Sequence, residues 1–275
     1  MATVDVYRIT DQLDNSVLDA LISRLEARGT HAGFVAMLDE YLDAMNIDEA
    51  ARVLDVGCGT GVASRTIARR KGFSGHVTGI DRSAYLIEVG KQRVREEGLD
   101  GRIELRAGDS HSLDIPDASF DAVVAHTLLS HVEDQLGVLR EIARIVKPGG
   151  RIGIFDGDYT SLTYGGDDPS VPTSTPMDDL IINALVTNPR VMRDMPRLLR
   201  AAGLRLEQSF AHVIADIGKA DFFAPGLQAM TKMLPRATGM SEAQVQAWSA
   251  AMLKRSEEGT YFGASNFYSY VAVRR

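Results

Sequence analysis

Val53-Leu54-Asp55-Val56-Gly57-Cys58-Gly59-Thr60-Gly61 is the stretch whose reading decides this chain. Its first four residues have the apolar character of the end of a buried strand. Glycines follow at alternate positions, and an amphipathic segment, Val62 to Arg70, comes next. Strand, glycine turn and helix in that order form a corner where backbone approaches a ligand closely. The first helical turn offers N–H groups that have no partner inside the helix.

Outward from this corner, the chain from Arg52 to Asp156 alternates short apolar runs with amphipathic segments. Strands are expected at Arg52–Val56, His76–Asp81, Ile103–Ala107, Phe120–Ala125 and Arg151–Asp156. Helices are expected at Gly61–Lys71, Ser83–Glu97 and Gln135–Val146, with Ser83 as an N-cap and Gly98 as a stop. Lys147-Pro148-Gly149-Gly150 reads as a turn. Such alternation implies an α/β fold with a parallel sheet and right-handed crossovers, whose ligands sit at the carboxyl ends of the strands. That rule gathers Gly57–Gly61, Asp81, Asp109, His126 and Asp156 at one edge.

The flanks complete the sheet and cover it. Leu13, Val17, Leu18, Leu21, Ile22, Leu25, then Phe34, Met37, Leu38, Tyr41, Leu42 and Met45 recur at helical spacing, which predicts two helices within 1–48. They either cover a sheet edge or, for the first, close over a ligand. Gly165–Pro169 and Val171–Pro176 read as loop, followed by helices at Met177–Val186 and Arg190–Ala202. Leu204–Ile217 and Ser265–Val273 alternate and are expected to be the last two strands, the final one antiparallel. Lys219–Glu258 reads as helical. The expectation is one domain of seven strands: helices over 1–48, a ligand-binding core over 50–156, and cap segments over 157–200 and 212–264.

Composition narrows the partners. The chain has 275 residues with 45% hydrophobic, 24% charged and a formal net charge of −7. A net negative charge disfavours a sequence-independent grip on nucleic-acid phosphates. The single cysteine, Cys58, allows no intrachain disulfide and no metal-ligand spacing, so no metal is expected. Residues 1–14 are polar and acidic, unlike a secretory signal. No apolar run approaches the ~20 residues of a membrane span. A cytoplasmic protein is expected; the sequence says nothing of its oligomeric state.

Asp81 ends the second expected strand, where a carboxylate accepts hydrogen bonds from the two hydroxyls of an adenosine ribose, or caps the next helix. Arg82 stands beside it. Asp109-Ser110 follows the third strand, where the acid and the adjacent backbone suit an adenine ring, or form a turn. A nicotinamide dinucleotide fingerprint needs a third glycine where Val62 stands. Asp55 suits a ligand with an ammonium group, met directly or through water, or it braces the glycine turn.

Asp55-x-Gly57-x-Gly59-x-Gly61 with Asp81 and Asp109 resembles the signature of the Rossmann-like S-adenosylmethionine (SAM)-dependent methyltransferases. Three further runs, Pro116–Val124, Leu129–Asp134 and Leu139–Gly150, resemble the subgroup that contains the ubiquinone/menaquinone C-methyltransferases. That subgroup often has two adjacent histidines, where this chain has Ser130 and His131. The resemblance covers about residues 50–156 well and implies SAM as cofactor, held by Asp55, Gly57, Gly59, Gly61, Asp81, Arg82, Asp109, Ser110 and His126. It implies methyl transfer to a small molecule without naming the acceptor.

A base is needed only if the acceptor must lose a proton. His126, after the fourth strand, is the candidate, with Asp156 second and Asp158 near it. His131 is expected to cap or pack the following helix. Tyr7, Tyr159 and Tyr164 are the tyrosines available to face a sulfonium. Seven of ten methionines lie between Met177 and Met252. They predict either a self-packed cap or a pocket for an apolar or aromatic acceptor. Two other functions fit part of the pattern: a nicotinamide-dependent oxidoreductase, and a SAM-binding protein without turnover.

Overall fold

The computed structural model describes residues 5–165 and 177–275. The expected loop over 165–176 therefore lies, from 166 onward, outside the described residues.

Seven strands form one sheet in the order β3-β2-β1-β4-β5-β7-β6. They are β1 (Arg52–Val56), β2 (His76–Asp81), β3 (Ile103–Ala107), β4 (Phe120–His126), β5 (Val146–Tyr164), β6 (Leu204–Gly218) and β7 (Tyr261–Arg274). β1 to β5 pair in parallel, and β7 runs antiparallel between β5 and β6. The chain order reverses direction across β1 and β4, and this switch point lies directly above the glycine turn.

Alternation along β1 sends Val53 into one apolar layer and Leu54 and Val56 into the other. The first layer lies under α1 (Asn15–Thr30), α2 (Ala32–Met45) and α3 (Val62–Arg69). The second is covered by α5 (Gln135–Ile145) and α7 (Val191–Ala201). All six apolar residues expected on α2, from Phe34 to Met45, are buried. His31 caps α2 by accepting the Phe34 N–H at Nδ1, 3.3 Å away. α2 packs closely over Gly153 of β5: a β-carbon there would lie 2.5 Å from Met45 Sδ. α4 (Ala84–Glu96) begins at Ser83, whose hydroxyl accepts the Leu86 N–H as expected.

β5 differs most from expectation. The strand was expected to end at Asp156, but it continues to Tyr164, and residues 157–164 belong to the sheet rather than to the cap. Thr163 and Tyr164 pair with Ala264 and Gly263 of β7, past a register shift after Asp158. The Asn266 N–H donates to Ser161 Oγ within the irregular stretch. Asp, Gly, Thr and Ser give this segment the composition of a loop; its partner strand lies a hundred positions away. At the other end, the Lys147–Gly150 turn lies inside β5, where pairing with β4 is irregular and Gly149 takes φ +79°.

The cap comprises α6 (Met177–Leu185), α8 (Ala224–Thr238) and α9 (Glu242–Glu257). Met233, Met252 and Trp248 are fully enclosed in its own core. Among the described methionines, Met230 lines a cavity between α1 and the cap, while Met192, Met195, Met233 and Met252 are buried in packed cores. Among the described residues, no helix is long and apolar enough to cross a membrane.

Candidate functional site

A cavity of about 480 Å³ opens above the carboxyl ends of β1 to β4, within the size range of small-ligand sites. Asp55, Gly57, Gly59, Asp81, Arg82, Asp109, Ser110 and His126 all line it. Two expected residues do not. Gly61 is the N-cap of α3 at φ +79°, and its N–H donates to the Cys58 carbonyl. Asp156 is fully buried below the loop after β4. Its carboxylate accepts the Ser130 N–H at 3.0 Å and the Gly157 N–H at 2.9 Å. Both oxygens accept backbone N–H groups and the residue lies outside the cavity lining, so Asp156 braces this loop.

The glycine turn is held from below. The Gly57 and Cys58 N–H groups donate to the Ile80 carbonyl. The Asp81 carboxylate accepts the Gly59 N–H and the Ser83 N–H, each at 2.9 Å. Asp81 therefore ties the N-cap residue of α4 to the turn, and it lines the cavity. Gly57 has φ +71°, and a β-carbon on it would sit 2.6 Å from Leu128 Cδ1. Position 57 therefore takes glycine for backbone conformation and for space.

Asp55 uses one oxygen locally. Its Oδ2 accepts the Ser64 N–H at 3.0 Å and the Ser64 hydroxyl at 2.7 Å, which locks β1 to α3. Its Oδ1 is buried without a partner. Burial pushes the carboxyl up to about 6, against the Ser64 hydrogen bonds. An unpaired buried carboxylate oxygen is costly, and a cationic ligand group removes the cost.

His126 also faces the cavity. Its ring stacks on Phe155 with centroids 4.5 Å apart, and Nδ1 lies 3.1 Å from the Tyr41 hydroxyl. Nε2 is buried without a partner. Burial, with nearby Arg28, pushes the imidazole down to about 3. A base that weak is poorly matched to taking a proton near neutral pH. Asp109, by contrast, is mostly exposed. Its Oδ1 accepts the His111 N–H at 2.9 Å, which holds the carboxyl below its ordinary value.

His131 departs from its expected role. Asp134 caps α5, accepting the Gly137 N–H. His131 instead borders this cavity and a narrower second one of about 40 Å³. Its Nδ1 lies 2.9 Å from Asp5 Oδ2, which also accepts the Thr187 N–H and hydroxyl at 2.8 Å each. Burial pushes Asp5 up, but His131 and these hydrogen bonds outweigh it and hold the carboxyl low. The Tyr7 ring packs on His131 with centroids 4.6 Å apart.

The second cavity is walled by Tyr7, Arg24, Arg28, Tyr159 and Tyr164 with apolar residues of α6 and α8. Residues 7–12 roof the first cavity, and Arg82 ties that roof down through the Arg8 carbonyl and the Asp11 carboxylate. α1 thus closes over the cavity, with Leu25 and Arg28 in its lining, and α2 covers the sheet.

Sequence reading passed over Asp5, Arg24 and Arg28. A signal for the arginines was present: they interrupt the apolar stripe of α1 one helical turn apart. Asp5 gave none, because its partners are remote in sequence.

A family model described as a methyltransferase domain matches residues 47–220. An uncharacterised 37.1 kDa protein of transposon TN4556 from Streptomyces fradiae is 29% identical over 96% of this chain and 74% of its own length. Demethylmenaquinone methyltransferase of Listeria welshimeri is 40% identical over 42% of this chain; the match spans about half of that relative, 49%. In structure, geranyl diphosphate C-methyltransferase from Streptomyces coelicolor, solved with S-adenosyl-L-homocysteine, shares the fold. Its TM-score is 0.56 at 17% identity, over 88% of this chain and 79% of that one.

Proposed function

The chain belongs to the methyltransferase-domain family, and from that premise we propose that it transfers the methyl group of SAM to a small-molecule acceptor held where the two cavities meet. The unpartnered Oδ1 of Asp55 carries the assignment of the cofactor. It is a buried anion without a counter-ion, aimed at the place where the ammonium of an amino-acid ligand fits.

In this reading Asp55 holds the ammonium and Arg28, on the same cavity wall, meets the cofactor's carboxylate. Asp81 receives the ribose hydroxyls on the lone pairs left free by Gly59 and Ser83. Asp109 and Ser110 face the adenine, and His126 packs beside the sulfonium with Phe34 at its edge. Bound SAM supplies an electrophilic methyl carbon whose leaving group is a neutral thioether. The chain's part is then chiefly placement of the two reactants, worth ~7–11 kcal/mol when the geometry is pre-organised.

Where the acceptor atom carries a proton, His131 is the group placed to receive it. Asp5 at Nδ1 favours the tautomer with its hydrogen on that nitrogen, leaving the Nε2 lone pair free at the cavity junction. His131 takes this role in preference to His126 because it borders both cavities and has a carboxylate to stabilise the imidazolium. The cytoplasm is the proposed place of action, in keeping with a lone cysteine.

Calorimetric titration with SAM, S-adenosylhomocysteine and NADH tests the cofactor. Binding of the first two, weakened at least tenfold by Asp55→Ala, is the expected outcome. Stabilisation by NADH alone would replace the reading with an oxidoreductase. Binding without label transfer from methyl-tritiated SAM to any acceptor would leave a non-catalytic SAM protein.

A further inference from the structure

Arg24 and Arg28 lie one turn apart on α1 and both face the second cavity. Arg28 is 8% exposed. Tyr7, Tyr159 and Tyr164 are the leading neighbours of Arg24, and Arg24, Tyr159 and Tyr7 are those of Arg28. Among the described residues, neither guanidinium forms an ion pair with a carboxylate. The acids behind this wall are engaged by other groups: Asp5 by His131 and Thr187, and Asp156 by the Ser130 and Gly157 N–H groups.

Two guanidiniums, charged at any physiological pH, thus share one cavity wall a helical turn apart, with no ion-paired acid among the described residues. Aromatic faces partly compensate. The Arg28 guanidinium carbon lies 5.5 Å from the centroid of Phe34 and 5.8 Å from that of Phe222. That of Arg24 lies 5.8 Å from the centroid of Tyr7, whose hydroxyl accepts a hydrogen bond from Arg24 Nη1 at 3.0 Å. Ring faces soften a buried charge but do not balance it. The cofactor offers a single carboxylate, and only Arg28 borders the cofactor cavity. Arg24 lines the second cavity alone.

We propose that the acceptor carries an oxyanion, a carboxylate or phosphate, which enters the second cavity and is bound by Arg24, with Arg28 beside it, and by the hydroxyls of Tyr7, Tyr159 and Tyr164. This rests on reading that cavity as the acceptor's. Burial pushes the Tyr159 and Tyr164 hydroxyls well above the usual phenol range, so they stay protonated and can donate. The remaining wall, including Leu162, Ile181, Leu185 and Phe223, is apolar. The acceptor class is accordingly an acid on an apolar or aromatic body, rather than a neutral hydrocarbon.

The test uses the full chain saturated with S-adenosylhomocysteine. Hydrocinnamate, hydrocinnamamide and phenyl phosphate are titrated by calorimetry. The acids should bind about tenfold or more tightly than the amide, since charge-assisted hydrogen bonds are the strong ones, and the stronger acid tells carboxylate from phosphate. Arg24→Met should abolish the preference and leave S-adenosylhomocysteine binding unchanged, which also shows that the variant is folded. Equal binding of acid and amide, no binding of either acid, or an unaltered preference in Arg24→Met overturns the proposal. Failure of S-adenosylhomocysteine itself to bind overturns the proposed function instead.

Discussion

His131 Nδ1 lies 2.9 Å from the Asp5 carboxylate although 126 positions separate the two residues. The pair orients an imidazole at the junction of the two cavities. His131→Ala should lower kcat by ~10²–10³-fold for an acceptor that loses a proton, with SAM affinity unchanged. Asp5→Asn should lower kcat less, by about tenfold, and shift the pH–rate profile, because the imidazolium loses its counter-ion. Equal kcat for His131→Ala and the parent would assign the histidine to packing.

Asp5 also predicts an acid limit of stability. Its folded value lies below the ordinary 3.8, so its contribution is complete above 3.8 and disappears as the pH falls through the lower folded value. Melting temperatures measured down the acid range should decline less steeply in Asp5→Asn than in the parent.

Asp55 has the opposite sign. Its carboxyl rises from 3.8 to about 6, so the folded protein retains a proton that the unfolded chain releases. Stability should therefore fall as pH rises between these values. The penalty is complete above about 6, on the order of 3 kcal/mol at 1.36 kcal/mol per unit. Asp55→Asn should flatten this slope and melt higher than the parent at neutral pH without ligand. SAM should bind more weakly below about 6 and release protons as it binds, which calorimetry in two buffers of different ionisation enthalpy would detect.

Asp81→Ala removes the acceptor of two backbone N–H groups, Gly59 and Ser83. Each unsatisfied group costs roughly 1–3 kcal/mol, so chemical denaturation should show a loss of a few kcal/mol. SAM affinity should fall by more than tenfold. Unchanged affinity in calorimetry would remove the ribose contact from Asp81 and leave it only as a brace.

Gly57→Ala should destabilise by at least ~1–2 kcal/mol, from a positive φ and from contact with Leu128. In the double variant Gly57→Ala, Leu128→Ala, the contact is relieved but the backbone strain is not. Thermal melts should therefore show partial recovery relative to the sum of the single variants; strict additivity would refute the contact.

The fold was legible from residues 52 to 156 because each signal there is local. Apolar runs mark strands buried on both faces, Ser83 caps its helix three residues on, and glycines mark the turn. That Asp55, Asp81, Asp109 and His126 line one cavity followed because a parallel sheet brings its strand ends to one side. Asp156 met the same rule but lies outside the cavity lining, since the loop after β4 gives the Ser130 N–H to one oxygen and the adjacent Gly157 N–H donates to the other. The last eight residues of β5 were illegible because polar residues there gain strand structure only by pairing with β7.

By itself the sequence determined the doubly wound core, the glycine turn and the acids around it, since periodicity and turn chemistry act over a few residues. Tertiary structure alone decided that His131 meets Asp5, which oxygen of Asp55 stays unpaired, and that two arginines line the second cavity. These depend on burial and on partners brought from residues 5–28 and 157–230, and no local pattern encodes such meetings. The glycine turn points to the family; the second cavity is written in contacts that exist only once the chain has folded.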